Sequence, residues 1–570
     1  MAGHPTNLRP SRLLSLLLLL SLGFPAIAFT IPQRDRRAKE ERSNTQKQTP
    51  GPSPLPTPVA SPAPEVAQPV QVNSGTPAKT LAELQNRITE VLRRPELSSA
   101  MVGIKVASLE SGRVLFEENA AKLLRPASNM KLYTVATALD RLSPDYRFTT
   151  SVYGAKPDAN GVVHGNMTIY GRGDPSIAAR FNNGDYFKGI DDLAARIVAG
   201  GVKRVEGDLV GDETYFSGPQ YGAGWEWEDL TWYYGAEITS LTANDNALDL
   251  FVKPGAAVGD KAVVTTGPPD PLLTIVNQVT TTSEGVRRDI SVYRDLGENS
   301  ITITGTIPLK DRGYTGGIGI SHPAMLFVYL LRTSLAQKGV TITGKSRTIR
   351  PSYLAPLTTM VPVASSTNGS AMLPAGYQNE IAALQSPPFS LIAAQTLKPS
   401  QNLYTELILR TLGKVTPPPQ LATGDQTSED LGLEAVKGFL KTAGVRPEAL
   451  VLSDGSGLSR NDMVTAEASV QLLTFMSRHR FADVFHQSLP IAGVDGTLRN
   501  RMKGTAAENN LRAKTGSLSS AASLSGYVTT AAGEKLVFSI MVNNYPSEVE
   551  PRVVCIDPIA VLLASFSGRS

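Results

Sequence analysis

A serine followed three residues later by a lysine is the feature of this sequence most directly able to do chemistry. Ser128 and Lys131 open a segment whose apolar residues recur at helical spacing. Residues i and i+3 share a helix face, so the Lys131 amine can reach the Ser128 hydroxyl. At a helix start the free backbone N–H of the serine can also stabilise an oxyanion. The pattern predicts a nucleophilic serine with a lysine base, although about one chance match is expected in so long a chain.

A second candidate group is Lys514-Thr515-Gly516, just before a predicted strand pair near the C-terminus. On an edge strand, such a group offers a cation and a hydroxyl to a carboxylate, and glycine lets a substrate backbone approach closely. A Ser-x-Asn element should lie between the two groups. We choose Ser400 and Asn402, because they directly precede an amphipathic helix that can hold them rigidly. The two alternatives are Ser366-Thr-Asn368, in a loop rich in small residues, and Ser459-Arg-Asn461, after a predicted turn.

The order Ser-x-x-Lys, Ser-x-Asn, Lys-Thr-Gly is that of the serine penicillin-recognising enzymes. Residues 80–570 resemble the D-alanyl-D-alanine carboxypeptidase/endopeptidase family, the class C low-molecular-mass penicillin-binding proteins of the penicillin-binding protein 4 type. The family inserts extra domains between its first two motifs, which suits the stretch of about 270 residues between Ser128 and Ser400. Further segments that carry the resemblance are 211–214, 224–229, 233–236, 454–459, 492–497 and 513–517.

The resemblance implies roles for the motif residues. Ser128 would attack the carbonyl between two D-alanines, after Lys131 takes its proton. Lys131 must then be neutral, and we expect burial and the nearby Lys514 cation to lower its pKa. Ser400 would relay the proton to the departing amine, and Asn402 would orient Lys131 and the substrate amide.

The resemblance also assigns the residues that would bind substrate. Lys514 and Thr515 would hold the terminal carboxylate beside Gly516, and the backbone N–H groups of Ser128 and Ser517 would form the oxyanion hole. The pocket for the stem-peptide side chain would be lined by Trp225, Glu228, Asp229 and Tyr233. Relatives usually have Asp where Glu228 stands, so recognition of the substrate ammonium group is less defined. A packing role in a lobe interface is the alternative for Trp225 and Trp227.

The charge of the chain is concentrated in its first eighty residues. The 570 residues contain 55 Lys and Arg against 51 Asp and Glu, a net charge of +4. Residues 1–79 hold nine basic and four acidic residues, so the rest of the chain carries a net charge of −1. A body without a basic excess lacks the electrostatic footprint of nucleic-acid binding, and we expect no nucleic-acid partner.

The N-terminus has the features of a secretory signal peptide. A basic start and an apolar run over 13–24 precede small residues, which predicts cleavage after Ala28 and a signal peptide over 1–28. Residues 29–79 are rich in Pro, Ser and Thr, which predicts a disordered linker. We expect an exported protein, periplasmic or otherwise extracytoplasmic, with no transmembrane segment after cleavage. The apolar run over 556–566 is predicted to pack in the core, with peripheral membrane contact as the alternative.

No cofactor and no metal site are expected. Cys555 is the lone cysteine, which excludes an internal disulfide and a cysteine-based zinc site. The four histidines beyond residue 28 show no His-Glu-x-x-His spacing. The sequence carries no signal of an oligomeric state.

The two ends of the body share a pattern of helices and paired strands. A capping box at Thr80 starts a helix, and a hairpin is predicted over 102–117. A second strand pair is predicted over 522–542. Between about 151 and 375 the pattern changes to short strands separated by Gly and Pro.

Together with the resemblance, these patterns predict an α+β fold. A transpeptidase-like catalytic domain, with an antiparallel sheet flanked by helices, would be split into residues 80–150 and 376–570. Residues 151–375 would form one or two inserted, mainly β lobes.

The motifs and the resemblance indicate an exported serine DD-peptidase. It would cleave D-Ala-D-Ala termini or peptide cross-links of peptidoglycan through an acyl-serine intermediate, with stem peptides as substrates and β-lactams as covalent inhibitors. Two alternatives stay open: a β-lactamase, which needs a second base for deacylation, and a non-catalytic penicillin-sensing or wall-binding module of the same fold. The intact motif residues argue against the second alternative.

Overall fold

The computed structural model describes residues 76–270, 272–350, 377, 379–419 and 426–570, together with the backbone of two short strands at 360–362 and 372–374. The predicted signal peptide, nearly all of the predicted linker and the candidate pair Ser366 and Asn368 lie outside the described residues. Among the helices of the described part, none is long and apolar enough to cross a membrane.

The helices of the described residues are distributed over the whole body. Their bounds are α1 (Leu81–Leu92), α2 (Met130–Leu142), α3 (Lys188–Ala199), α4 (Pro323–Gln337), α5 (Phe389–Leu397), α6 (Asn402–Val415), α7 (Ser428–Thr442), α8 (Ala466–Met476), α9 (Ala482–Ser488) and α10 (Asp557–Ser565). As predicted, the Thr80 side chain caps α1 by accepting from the Glu83 N–H at 3.2 Å. The Glu83 carboxylate bonds the N–H of Lys79 rather than that of Thr80.

The strands are mostly short. In the first part of the chain they are β1 (Met101–Ser108), β2 (Val114–Glu118), β3 (Thr149–Tyr153), β4 (Val162–Val163), β5 (Met167–Tyr170), β6 (Arg204–Val205), β7 (Leu209–Asp212), β8 (Ala247–Lys253), β9 (Val263–Gly267), β10 (Thr274–Asn277), β11 (Thr280–Thr282) and β12 (Asp289–Arg294). The second part contains β13 (Ser300–Pro308), β14 (Tyr314–Gly319), β15 (Thr341–Ile342), β16 (Ser346–Ile349), β17 (Met360–Pro362), β18 (Met372–Pro374), β19 (Glu380–Gln385), β20 (Leu450–Val451), β21 (Met463–Val464), β22 (Arg512–Leu518), β23 (Ala521–Thr529) and β24 (Lys535–Asn543).

The two ends of the body build one antiparallel sheet in the order β2-β1-β24-β23-β22. Both faces of its inner strands are covered, which explains their nearly continuous apolar sequences. On one face, Phe538 and Ile540 pack against α1 and α10, and on the other Val537 and Met541 pack against the helical layer that contains α8 and α2. The predicted α+β fold, with a sheet flanked by helices, is confirmed.

The helix α10 lies in this core. Ile559, Leu563 and Phe566 are fully buried, in the same cluster as α1 and the sheet. The predicted packing of the C-terminal apolar run is therefore what the structure shows.

The inserted region contains two apolar cores of its own. The first lies between the sheet β16-β7-β5-β3-β19 and the helices α3 and α4, and the second lies among strands that include β8 and β13. The first core is formed by helices as well as strands, whereas mainly β lobes were expected. The helix α4 alone contributes a large share of its buried residues.

The inserted region also extends beyond the predicted range of residues 151–375 at both ends. Its first strand, β3, pairs with its last, β19, so that Thr149 faces Gln385. The sequence assigns residues 376–385 to the catalytic part, and this boundary is wrong because a single alternating strand does not reveal which sheet it joins.

The core of the catalytic sheet should respond strongly to a single truncation. Leu524 on β23 is fully buried, and we expect Leu524→Ala to lower the free energy of unfolding by about 2–5 kcal/mol through lost burial and a cavity. Val114→Ala, at a position 39% exposed in the same sheet, should change it by less than about 0.5 kcal/mol. Guanidinium unfolding followed by circular dichroism measures both, and equal shifts would contradict the assigned core.

Candidate active site

Ser128 lies on a tight turn that leads directly into α2. Ala127 takes a left-handed φ of +48°, and a 3-10 turn over Ala127–Asn129 runs into the helix. The Ser128 side chain is half-buried, whereas Lys131 in the first turn of α2 is fully buried. The turn therefore exposes a hydroxyl directly above a buried amine.

The Lys131 amine has three oxygen neighbours. Its Nζ lies 2.9 Å from Ser128 Oγ, 2.6 Å from Asn402 Oδ1 and 2.7 Å from the carbonyl oxygen of Ser456. The last two oxygens can only accept, so each takes one N–H. A neutral amine has two N–H groups and one lone pair, and the lone pair then faces the Ser128 hydroxyl. This arrangement suits removal of the Ser128 proton.

Burial sets the charge state of this amine. It lowers the pKa of Lys131 to about 7, against the opposing attraction of the Asp454, Glu406 and Asp462 carboxyl groups. The expected contribution of Lys514 to this shift is not found. Instead, burial and then the charge of Lys131 hold the pKa of Lys514 well below its usual range.

Ser400 and Asn402 approach the same point from α6. Gln401 caps this helix through its own side chain, which accepts from Leu403 N–H at 3.0 Å, and Ser400 has a left-handed φ of +67°. The Asn402 amide donates to the carbonyl oxygen of Tyr234 at 2.8 Å, which leaves its Oδ1 for Lys131. Ser400 Oγ accepts from Lys514 Nζ at 2.8 Å.

The alternative pair does not reach the lysines. Ser459 is buried in the loop after β20, where its N–H donates to the Asp454 carboxylate at 3.0 Å. Its hydroxyl accepts from the N–H of Asn461. Among the described Ser-x-Asn candidates, the pair that contacts the lysines is therefore Ser400 and Asn402. Ser400 contacts Lys514, and Asn402 contacts Lys131.

The Lys-Thr-Gly segment lies on β22, at the edge of the catalytic sheet. Gly516 permits a close approach to the Ser128 turn, because a Cβ there would stand 2.5 Å from the carbonyl oxygen of Pro126. Thr515 is half-buried and its hydroxyl donates to Thr497 Oγ1 at 2.8 Å, while Ser517 is exposed. The structure thus brings all three motifs to one place.

The four predicted pocket residues are placed differently from one another. Glu228 and Tyr233 are exposed, on 3-10 turns over 227–231 and 233–235. Asp229 is buried, accepts from the Glu226 N–H at 3.3 Å and faces Arg460 at 3.5 Å. The Trp225 indole N–H donates to Asp454 at 2.8 Å, and the ring packs against a buried apolar cluster, so part of this side chain has a packing role.

Sequence reasoning missed two contributors to the site. The Ser456 carbonyl oxygen is a main-chain group, which no residue type announces, and Thr497 contacts Thr515 from a separate loop. In the sequence, the segments 454–459 and 492–497 that contain these residues are marked only by their resemblance to the family. Within the described residues, no group of three or more His, Cys, Asp or Glu side chains is arranged to hold a metal ion.

Comparison with known proteins decides the family. Residues 84–356 and 368–565 match the D-Ala-D-Ala carboxypeptidase 3 (S13) family. The chain belongs to this family. The D-alanyl-D-alanine carboxypeptidase of Actinomadura sp. (strain R39) is 34% identical over 503 residues, which cover 86% of either chain. The family that the motifs indicated, and with it an enzyme of the serine-type carboxypeptidase class, is confirmed.

Two further comparisons show similarity at lower identity. D-alanyl-D-alanine carboxypeptidase DacB of Haemophilus influenzae is 24% identical over 457 residues, covering 78% of this chain and 85% of that one. The crystal structure of penicillin binding protein 4 from the same organism superposes with a TM-score of 0.67 at 21% identity, over 83% of this chain and 97% of the other. The superposition confirms the fold with its inserted lobes.

A glycine beside the nucleophile gives a test of this packing. Gly457 has a φ of +77°, and a Cβ would lie 1.9 Å from the carbonyl oxygen of Ala127. Gly457→Ala should cost at least about 1–3 kcal/mol of stability through backbone strain. The matched control is Gly438→Ala in α7, where nothing lies within 4 Å and helix propensity should add about 0.5–1 kcal/mol. Thermal unfolding compares the two, and a Gly457→Ala protein as stable as wild type would contradict the packing.

Proposed function

We propose that this protein is an exported serine DD-peptidase that acts on the D-Ala-D-Ala bond of peptidoglycan stem peptides through an acyl-serine intermediate. The observation that carries the proposal is the buried Lys131 amine, with two carbonyl acceptors and the Ser128 hydroxyl as its neighbours. Its membership of the S13 family and the name of the Actinomadura relative support the substrate class.

Acylation begins with attack of Ser128 Oγ on the carbonyl carbon between the two D-alanines, as its proton passes to Lys131 Nζ. The carbonyl oxygen becomes an oxyanion, stabilised by the backbone N–H groups of Ser128 and Ser517. The C–N bond then breaks, and the leaving amine receives a proton from Ser400 Oγ, which is replenished from the lysines. Water hydrolyses the acyl-serine and restores the Ser128 hydroxyl.

The terminal carboxylate of the substrate binds at Lys514 and the Thr515 hydroxyl, beside Gly516. The pKa of Lys514 is held low in the free site by burial and by Lys131. An arriving carboxylate favours the charged form of the amine. Substrate binding therefore charges Lys514, and the added positive charge favours the neutral, basic form of Lys131.

The stem-peptide side chain lies against Tyr233, Trp225 and Glu228. Tyr233 belongs to the turn whose next residue, Tyr234, accepts from Asn402, so the turn adjoins the catalytic asparagine. Glu228 is exposed and supplies the carboxylate for a substrate ammonium group. Asp229, which faces Arg460, holds the turn in place.

Export follows from the signal peptide over 1–28, with residues 29–79 as a linker to the catalytic body. The mature chain then acts in the periplasm or another extracytoplasmic space. N-terminal analysis of the secreted protein should find cleavage after Ala28, and a cytoplasmic, uncleaved chain would refute this part.

The experiment that tests the function is incubation with a fluorescent penicillin, followed by intact-mass analysis of wild type and Ser128→Ala. We expect a stable adduct on wild type alone, together with release of D-alanine from a stem pentapeptide or cleavage of a cross-linked dimer. A wild type without adduct would refute the mechanism. Rapid turnover of the penicillin would indicate a β-lactamase, and a stable adduct without peptide cleavage would indicate a penicillin sensor.

The pH dependence of acylation tests the base. Because the pKa of Lys131 is lowered to about 7, the amine is protonated below that pH and neutral above it. The acylation rate should therefore rise through a midpoint near pH 7, where an ordinary lysine would still be charged. Lys131→Ala should lose acylation at neutral pH, and Lys437→Ala, at an exposed lysine in α7, should not. Near-normal acylation by Lys131→Ala would remove Lys131 as the base.

A further inference from the structure

A buried pair of carboxyl groups lies behind Lys131, in the loop between β20 and β21. Asp454 and Asp462 are both fully buried. Neither belongs to the three motifs, and neither contacts Ser128, Ser400 or Lys514 by hydrogen bond. Groups of this kind are costly to bury, so their contacts should show what they do.

Apart from its interaction with Asp462, Asp454 accepts five hydrogen bonds. Three come from backbone N–H groups of its own loop, on Ser456 at 3.0 Å, Gly457 at 2.6 Å and Ser459 at 3.0 Å. The fourth comes from the Ser456 hydroxyl at 2.9 Å, and the fifth from the Trp225 indole at 2.8 Å. The carboxylate therefore fixes the course of residues 454–459.

The fixed loop has three successive contacts with the nucleophile segment. The carbonyl oxygen of Gly455 accepts from Thr134 Oγ1 at 2.8 Å, that of Ser456 accepts from Lys131 Nζ at 2.7 Å, and Gly457 packs on Ala127. The position of the Ser456 oxygen decides which way one Lys131 N–H points. It thereby decides where the lone pair points.

Asp462 completes the pair as the protonated member. Its Oδ1 accepts from the N–H of Ser453 at 2.6 Å, whereas its Oδ2 has no donor among the described residues. The two carboxyl groups share a hydrogen bond, which requires one proton between them. Burial, and then the Asp454 charge, hold the pKa of Asp462 well above its usual range, while the pKa of Asp454 is lowered. The pair thus carries one negative charge.

We propose that Asp454 is a positioning residue for Lys131: with the Asp462 acid as its hydrogen-bond donor, it holds the Ser456 carbonyl and places a single buried negative charge behind the amine. The proposal rests on the proposed function, in which Lys131 is the base. The pair acts on the reaction through Lys131 and the loop alone.

Several ionisable groups from different elements surround Lys131. Asp454 and Asp462 face it from the loop, Glu406 from α6, and Lys514 from β22. Glu406 is itself paired with Arg410 at 2.8 Å, and Arg410 also faces Glu429. Asp454 comes first among the charges that raise the pKa of Lys131. Removing the charge of Asp454 should therefore shift the pKa of Lys131 measurably, although the other charged groups remain.

The test compares pH profiles of acylation for Asp462→Asn and for the double variant Asp454→Asn/Asp462→Asn. The asparagine amide of Asp462→Asn can donate to Asp454 as the acid does, so the midpoint of its profile should stay at the wild-type pH. In the double variant the negative charge is lost and Asp462 cannot ionise in its place. Its midpoint should move by about half a pH unit or more to lower pH, because Lys131 then loses its proton more easily.

The double variant should also acylate about tenfold more slowly at the high-pH plateau, since an amide holds the three loop N–H groups less strongly than a carboxylate. A double variant with the wild-type midpoint would overturn the proposal. So would an Asp462→Asn midpoint displaced as far as that of the double variant. If wild type forms no adduct, or Lys131→Ala acylates normally, it is the proposed function that has failed.

A milder variant keeps the test decisive if the double variant does not fold. Ser456→Ala removes one of the five bonds to Asp454 and leaves every charge and the Ser456 carbonyl in place. We expect acylation to slow severalfold at the plateau with an unchanged midpoint, and circular dichroism to match wild type. A folded Ser456→Ala protein with the full plateau rate would overturn the positioning role.

Discussion

The site depends on one buried amine. Lys131 has no access to water, so its proton affinity and the direction of its lone pair are set by the protein alone. Burial favours the neutral form, and two carbonyl oxygens occupy its N–H groups. The helices α2 and α6 and the loop after β20 must meet at this point for any of these effects to operate, which is why three distant parts of the chain converge there.

The site also requires the edge strand β22, which must approach the Ser128 turn closely and still leave space beside it. Gly516 supplies the contact, since any side chain there would strike the turn before Ser128. The same approach brings Lys514 near Lys131, and burial, followed by the charge of Lys131, holds the pKa of Lys514 well below its usual range. An anion beside Lys514 would favour the charged form of its amine, which is the basis of the carboxylate-binding role proposed for this residue.

The sequence predicted the parts of this design that are local. The Thr80 cap of α1, the hairpin strands and the spacing of Ser128 and Lys131 depend on neighbours along the chain. The order of the three motifs indicated the family. The Ser456 carbonyl reaches Lys131 from a segment 325 residues away, and Thr497 reaches Thr515 from a separate loop. The shift in the pKa of Lys131 likewise depends on burial among distant segments. Likewise β19 could not be assigned to a sheet, because alternation reveals an exposed face and not a partner.

The pairing of Thr149 with Gln385 has a consequence for how the chain is organised. The chain leaves the catalytic unit through β3 and returns to it through β19. Because these two strands pair, the sheet of the inserted region itself holds the ends of the insertion together. Once that lobe has formed, the catalytic unit spans a short closed loop rather than a long open one, and the entropy cost of joining its halves is correspondingly small. The two halves are therefore joined, in entropic terms, as if by a short connection.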